Sequence, residues 1–162
     1  MKKTTTIIIS LTLIFGIMVQ PVNAKSIQKN TWEYLRSIGC SKQATAGIMG
    51  NIQQESSFNL RCGGYCKGLF QLSPYNLKRQ KKYARKHCLG VWSFTAQMGF
   101  ATKKLCKELK PYAGISWKKY KKIKSVRKAT ILWEKGVERA GKPMMGKRIK
   151  YAKKFYKKYK EV

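Results

Sequence analysis

The chain contains no aspartate, so any carboxyl chemistry must use one of six glutamates: Glu33, Glu55, Glu108, Glu134, Glu138 and Glu161. Only Glu55 stands where a helical pattern ends and runs into a glycine-rich stretch. It follows Ala44, Ile48 and Ile52, which recur every four residues, and continues their stripe, so its carboxyl borders a buried face. Loss of solvation there disfavours the ionised form and moves the group toward the range of a general acid, while screened surface lysines oppose the shift only weakly. The single histidine, His87, lies in a lysine-rich helical segment, which disfavours serine- or cysteine-hydrolase chemistry. Cys62, Cys66, His87 and Cys88 lack zinc-finger spacing, and export favours their oxidation, so no metal site is expected.

The elements that must position Glu55 read as mainly helical. A first helix covers about 27–38 and ends at Gly39; Ser41 then caps a second helix through Gln54. From Phe58 to Leu72 the helical period fails and Gly63, Gly64 and Gly68 punctuate the run, which predicts a short β-ribbon after the helix that carries Glu55. Ser73 and Pro74 open a third helix to about His87. Phe94, Met98, Ala101, Leu105 and Leu109 mark a fourth that stops before Pro111, and Val126, Thr130, Trp133 and Val137 mark another from Ser125 to about Arg139. Pro143 opens the last helix, with Met145, Ile149, Ala152, Tyr156 and Tyr159 as its apolar stripe.

Lys2 and Lys3, the apolar run Ile7 to Val19 and the small-residue ending Val22, Asn23, Ala24 form a secretory signal pattern over 1–24. Lys25 to Val162 is then the size of one domain, secreted or periplasmic. All five cysteines, Cys40, Cys62, Cys66, Cys88 and Cys106, follow that segment, so disulfides are expected, with one thiol left over and Cys62 and Cys66 bracing the ribbon. The formal charge of +30 draws such a chain to wall carboxylates, teichoic acids, anionic lipids or nucleic acid. Most lysine-flanked aromatic residues fall on helical core stripes, so a specific nucleic-acid surface is not expected.

Three stretches taken together are distinctive: "AGIMGNIQQESSFN", "GGYCKGLFQLSP" and "WEKGVERAGKPMMGKRIKYAKKFY". They resemble the phage tail lysozyme family, a branch of the lysozyme-like superfamily, over about Thr31 to Tyr156. The resemblance implies an α+β lysozyme-like fold and cleavage of the peptidoglycan bond between N-acetylmuramic acid and N-acetylglucosamine. Glu55 would be the catalytic acid, Ser56 its neighbour at the cleft, Gly68 and Gln71 a turn walling it, and Gln71, Ser73 and Tyr75 the lining of the sugar subsites. No cofactor is implied, and a monomer is expected. The chain departs from the family in carrying Cys62 and Cys66 in the ribbon, and Ala140 where a proline often follows Glu-Arg.

Glycosidic cleavage needs a second group to stabilise or trap the oxocarbenium ion. Glu134 and Glu138, one helical turn apart, are the available carboxylates; either can instead be a buried structural glutamate that holds a loop or pairs with Arg139. Attack by water and attack by the sugar's own 6-hydroxyl both remain open. A different class also remains: a cationic wall-binding or membrane-permeabilising protein that keeps the scaffold without turnover.

Overall fold

The computed structural model describes residues 24–161. The predicted signal segment, apart from Ala24, lies outside the described residues. Among the described residues eight α-helices follow in order: α1 (Ala24–Ser37), α2 (Lys42–Ser56), α3 (Pro74–Lys86), α4 (Phe94–Lys103), α5 (Leu109–Ala113), α6 (Trp117–Tyr120), α7 (Val126–Trp133) and α8 (Met145–Tyr159). A 3-10 turn, Leu105–Glu108, joins α4 to α5, and a single π-helical turn, Glu134–Glu138, extends α7.

Serine starts most of these helices. The hydroxyls of Ser41, Ser73, Ser93, Ser116 and Ser125 each accept a backbone N–H of the first turn, which satisfies a donor that has no partner within the helix.

Helix α2 is the axis of the fold: ten residues between Ala44 and Ser56 are buried, because α1, α7 and α8 cover different sides of it. Two glycines let the neighbours in. A Cβ on Gly47 would stand 2.7 Å from the Cβ of Ala129 on α7, and one on Gly50 would stand 2.6 Å from both the Cβ of Ala152 and the carbonyl of Arg148 on α8. Both are far inside the 3.5–4.0 Å at which carbon atoms pack, so α7 and α8 approach only because these side chains are missing. Aromatic rings fill what remains: Trp32 stacks on Tyr159, Phe58 meets Phe155 edge-on, and Trp117, Tyr120 and Trp133 form a trio.

Several expectations need correction. The segment after α2 is not a ribbon: among the described residues it forms turns pinned by one antiparallel bridge, Lys67 to Leu72. A ribbon needs successive paired residues, and Gly63, Gly64 and Gly68 leave too few side chains to pack one. The expected disulfides are not formed; all five cysteines are free, and the loop is fastened by hydrogen bonds instead. The fourth helix breaks at Lys104, and Pro111 sits within the separate helix α5, where a helix start tolerates its missing N–H. In α8 the buried face is Arg148, Ala152, Phe155 and Tyr159, rotated from the predicted stripe, so that Met145, Ile149 and Tyr156 are half-buried flanks.

Candidate active site

Glu55 occupies the last turn of α2, beside the point where the chain reverses through Ser57 and Phe58, both with positive φ (50° and 64°). Such a conformation is costly for residues other than glycine and must be held from outside. Phe58 does this by burial against Phe155, and the Ser57 N–H closes on the carbonyl of Gln53 at 3.2 Å. Ser56 is also buried; its hydroxyl donates to the carbonyls of Leu69 (3.0 Å) and Ile52 (3.3 Å), so it ties the helix end to the following loop and does not line the cleft.

The loop is bolted down by Gln97 of α4. Its Oε1 accepts the Leu69 N–H at 2.8 Å, and its Nε2 donates to the carbonyls of Leu60 and Trp92. Gly68 is required at this bolt twice over: its φ is +77°, and a Cβ there would stand 2.4 Å from the Gln97 Oε1.

Between the loop and the turn after α7 lies a cavity of about 700 Å³ lined by Glu55, Cys66, Phe70, Gln71, Leu72, Ser73, Asn76, Val137, Glu138, Arg139, Ala140 and Gly141. Gln71 and Ser73 stand on its wall. Gln71, at φ 40°, donates from Nε2 to the carbonyl of Gly68 at 3.0 Å. Ser73 spends its hydroxyl as the cap of α3, at 3.4 Å from the Asn76 N–H. Tyr75 is 71% exposed at the start of α3, with Arg79 over its ring, and stands outside the cavity lining.

The two candidate second carboxylates part company. Glu134 is buried, and its Oε1 accepts the Ala140 N–H at 3.2 Å. A proline at position 140 has no N–H to give, so the departure from the family pattern and this loop-holding bond are one feature. Glu138 reaches the cavity, accepting from the Trp133 indole N–H at 2.8 Å. Burial, reinforced by the nearby Glu55 charge, pushes its carboxyl up to about 8, while the Trp133 hydrogen bond and Arg148 pull the other way.

The expectation for Glu55 was an apolar wall; the structure gives it a cation. Arg148, only 2% exposed, donates from its guanidinium to the Glu55 Oε1 at 2.5 Å, to the Asn51 Oδ1 at 3.0 Å and to the carbonyl of Pro143 at 2.5 Å. Asn51 is itself anchored by donating to the carbonyls of Gly47 and Thr130. The pair spans the α2–α8 contact and leaves the Glu55 side chain 15% exposed, facing the cavity.

Sequence reasoning missed Arg148, Asn76 and Gln97, and it gave Arg139 only as an ion-pair partner for Glu134 or Glu138, a pair not formed among the described residues. A signal for Arg148 existed: it occupies a position four before Ala152 on the covered face of α8, where only a paired charge is tolerated. Among the described residues no cluster of His, Cys, Asp or Glu is gathered to hold a metal, and no helix is long and apolar enough to cross a membrane.

Glu55 at the end of the central helix, Gln71 of the turn opposite and Glu138 of the turn after α7 line one cavity, and the sequence matches the phage tail lysozyme family over residues 26–159. The chain belongs to the phage tail lysozyme family. No curated protein matches it. Membership in this lysozyme family implies a peptidoglycan glycosidase of lysozyme-like type, with peptidoglycan as its substrate.

Proposed function

We propose that this lysozyme-family protein is exported, secreted or periplasmic, and cleaves the bond between N-acetylmuramic acid and N-acetylglucosamine with Glu55 as general acid. The observation that carries the reading is the cavity in which Glu55, held by Arg148, shares space with Glu138. Burial, reinforced by the nearby Glu55 charge, pushes the Glu138 carboxyl up to about 8, so Glu138 holds a proton at neutral pH beside Glu55 in the same cavity.

With a glycan bound, Glu138 passes that proton to Glu55, which donates it to the bridging oxygen as the bond to C1 breaks. Its carboxylate is then stabilised by Arg148, a preorganised cation placed where negative charge develops. Glu138, left as the second carboxylate, faces the positive charge at C1. Water attacking C1 gives a reducing end; the 6-hydroxyl of the same sugar gives an anhydro end. In both cases the nucleophile's proton returns to the carboxyl pair, and no cofactor enters the scheme. Gln71 and Ser73 line the sugar subsites, and Tyr75 offers an exposed ring at their edge.

Lys150, Lys153, Lys154 and Lys157 border a shallow groove on α8, roughly half a turn around the helix from Arg148. That face carries the monomer to the anionic wall and makes lysis fall steeply with salt.

The test is mass spectrometry of soluble fragments released from purified peptidoglycan. Reducing-end or 1,6-anhydro muropeptides support the reading and decide between its two outcomes. Fragments cut in the peptide, or none, overturn it and leave a cationic wall-binding protein without turnover.

A further inference from the structure

Arg139 lies on the cavity wall in an arrangement that its own neighbours do not use. It is a non-glycine residue at φ 50° and ψ 45°, a costly conformation, and two bonds hold it there. Its N–H donates to the carbonyl of Glu134 at 2.7 Å, and the next N–H, of Ala140, donates to the Glu134 side chain at 3.2 Å. The guanidinium carbon stands 4.0 Å from the centre of the Tyr112 ring of α5, a stacked cation–π contact. Tyr112 is 54% exposed, so its ring is committed to this platform and not to the core.

Among the described residues Arg139 forms no ion pair, although Glu134 and Glu138 precede it by five residues and one. Its planar fork is thus fixed by the ring on one side while its N–H groups stay available at the cleft. A stacked, unpaired guanidinium of this kind suits bidentate contact with a carboxylate.

We propose that Arg139 is a specificity-determining residue that grips a carboxylate on the peptide carried by the glycan strand, so that the favoured substrate is peptide-substituted glycan with its carboxyls free. This rests on the glycan-cleaving reading above. Wall glycans bear such carboxylates on the lactyl-linked peptide next to the scissile bond, and Arg139 lines the same cavity as Glu55.

The test uses purified sacculi and the same sacculi after their carboxyls have been converted to neutral amides with carbodiimide and ethanolamine, a treatment that spares phosphodiesters. The variant is Arg139→Asn, because asparagine tolerates the left-handed backbone and removes only the guanidinium. Expected is a fall in kcat/KM of roughly 10- to 100-fold on native sacculi and a change under about 3-fold on amidated sacculi, as suits loss of a charge-assisted contact. Tyr112→Leu, which removes the platform but leaves the charge, should give a smaller loss with the same dependence on free carboxyls.

Equal losses on both substrates, or none on native sacculi, overturn the assignment while the proposed function stands. Wild-type protein that cleaves neither sacculus overturns that function, and this inference with it. Lys153→Asn, on the far face of α8, should lower both rates by a few-fold at most; a loss there as large and as dependent on free carboxyls as that of Arg139→Asn would refute the assignment to Arg139.

Discussion

Replacing Arg148 by methionine tests the electrostatic centre of the cleft. Methionine matches the aliphatic stem of arginine and is apolar, so much of the packing between α2 and α8 is kept while three polar contacts vanish: to Glu55, to Asn51 and to the carbonyl of Pro143. Removing one partner of a buried ion pair costs about 3–5 kcal/mol. Glu55 keeps 15% of its side-chain surface and rehydrates in part, which lowers the cost; Asn51 is wholly buried and loses the acceptor's partner, which raises it by about 1–3 kcal/mol. These overlap, so a loss of about 3–4 kcal/mol is expected in urea unfolding at neutral pH, read as a fall in midpoint at constant slope. In Arg148→Met with Glu55→Gln the stranded charge is gone, and the double variant should recover about 1–2 kcal/mol relative to additivity. A loss under about 1 kcal/mol, or additive effects in the cycle, would refute the claim that this pair is a buried, energetically coupled unit.

Gly50→Ala should separate α2 from α8, since its Cβ meets the Arg148 carbonyl and the Ala152 Cβ at 2.6 Å; a loss of about 1–3 kcal/mol and reduced lysis are expected, and an unchanged melting midpoint would contradict it. Burial raises the Glu138 carboxyl to about 8 from an ordinary 4.5, so folding takes up a proton between those values. Its contribution is complete below about pH 4.5 and lost as pH rises through about 8; Glu138→Gln should flatten that decline, whereas identical urea midpoints against pH for both proteins would count against it. In reduced native protein Ellman's reagent should label Cys62, Cys66 and Cys88 quickly. Cys40 and Cys106, whose thiols burial pushes to about 12 and about 11, should react only on unfolding, and fast labelling of all five would contradict the buried placement.

Much of this site was legible in the sequence because it rests on local rules. Ser41 marks the start of α2, the Ala44, Ile48 and Ile52 stripe sets its buried side, and Glu55 follows on that stripe at its end. Ser73 was readable as the cap of α3, whereas Gln71 came into view only through the resemblance to the family. What was not legible depends on partners distant in the chain. Arg148 breaks an apolar stripe, and only the burial of Glu55 and Asn51 across the α2–α8 contact explains it. The loop after Phe58 reads as a ribbon because the helical period fails there and glycines punctuate the run as turns would, yet its order comes from Gln97, on another helix. Glu134 and Glu138 were indistinguishable one turn apart; the π turn and Trp133 send one to a backbone N–H and the other to the cavity.

The measurement closest to the central claim compares wild type with Glu55→Gln on purified peptidoglycan, with circular dichroism and sacculus-binding assays confirming that the variant folds and still binds. The account predicts that glycan fragments appear with wild type alone, at a rate at least about 100-fold above the variant, as expected when a general acid is removed. A folded variant that releases the same fragments at a comparable rate would contradict the assignment of Glu55.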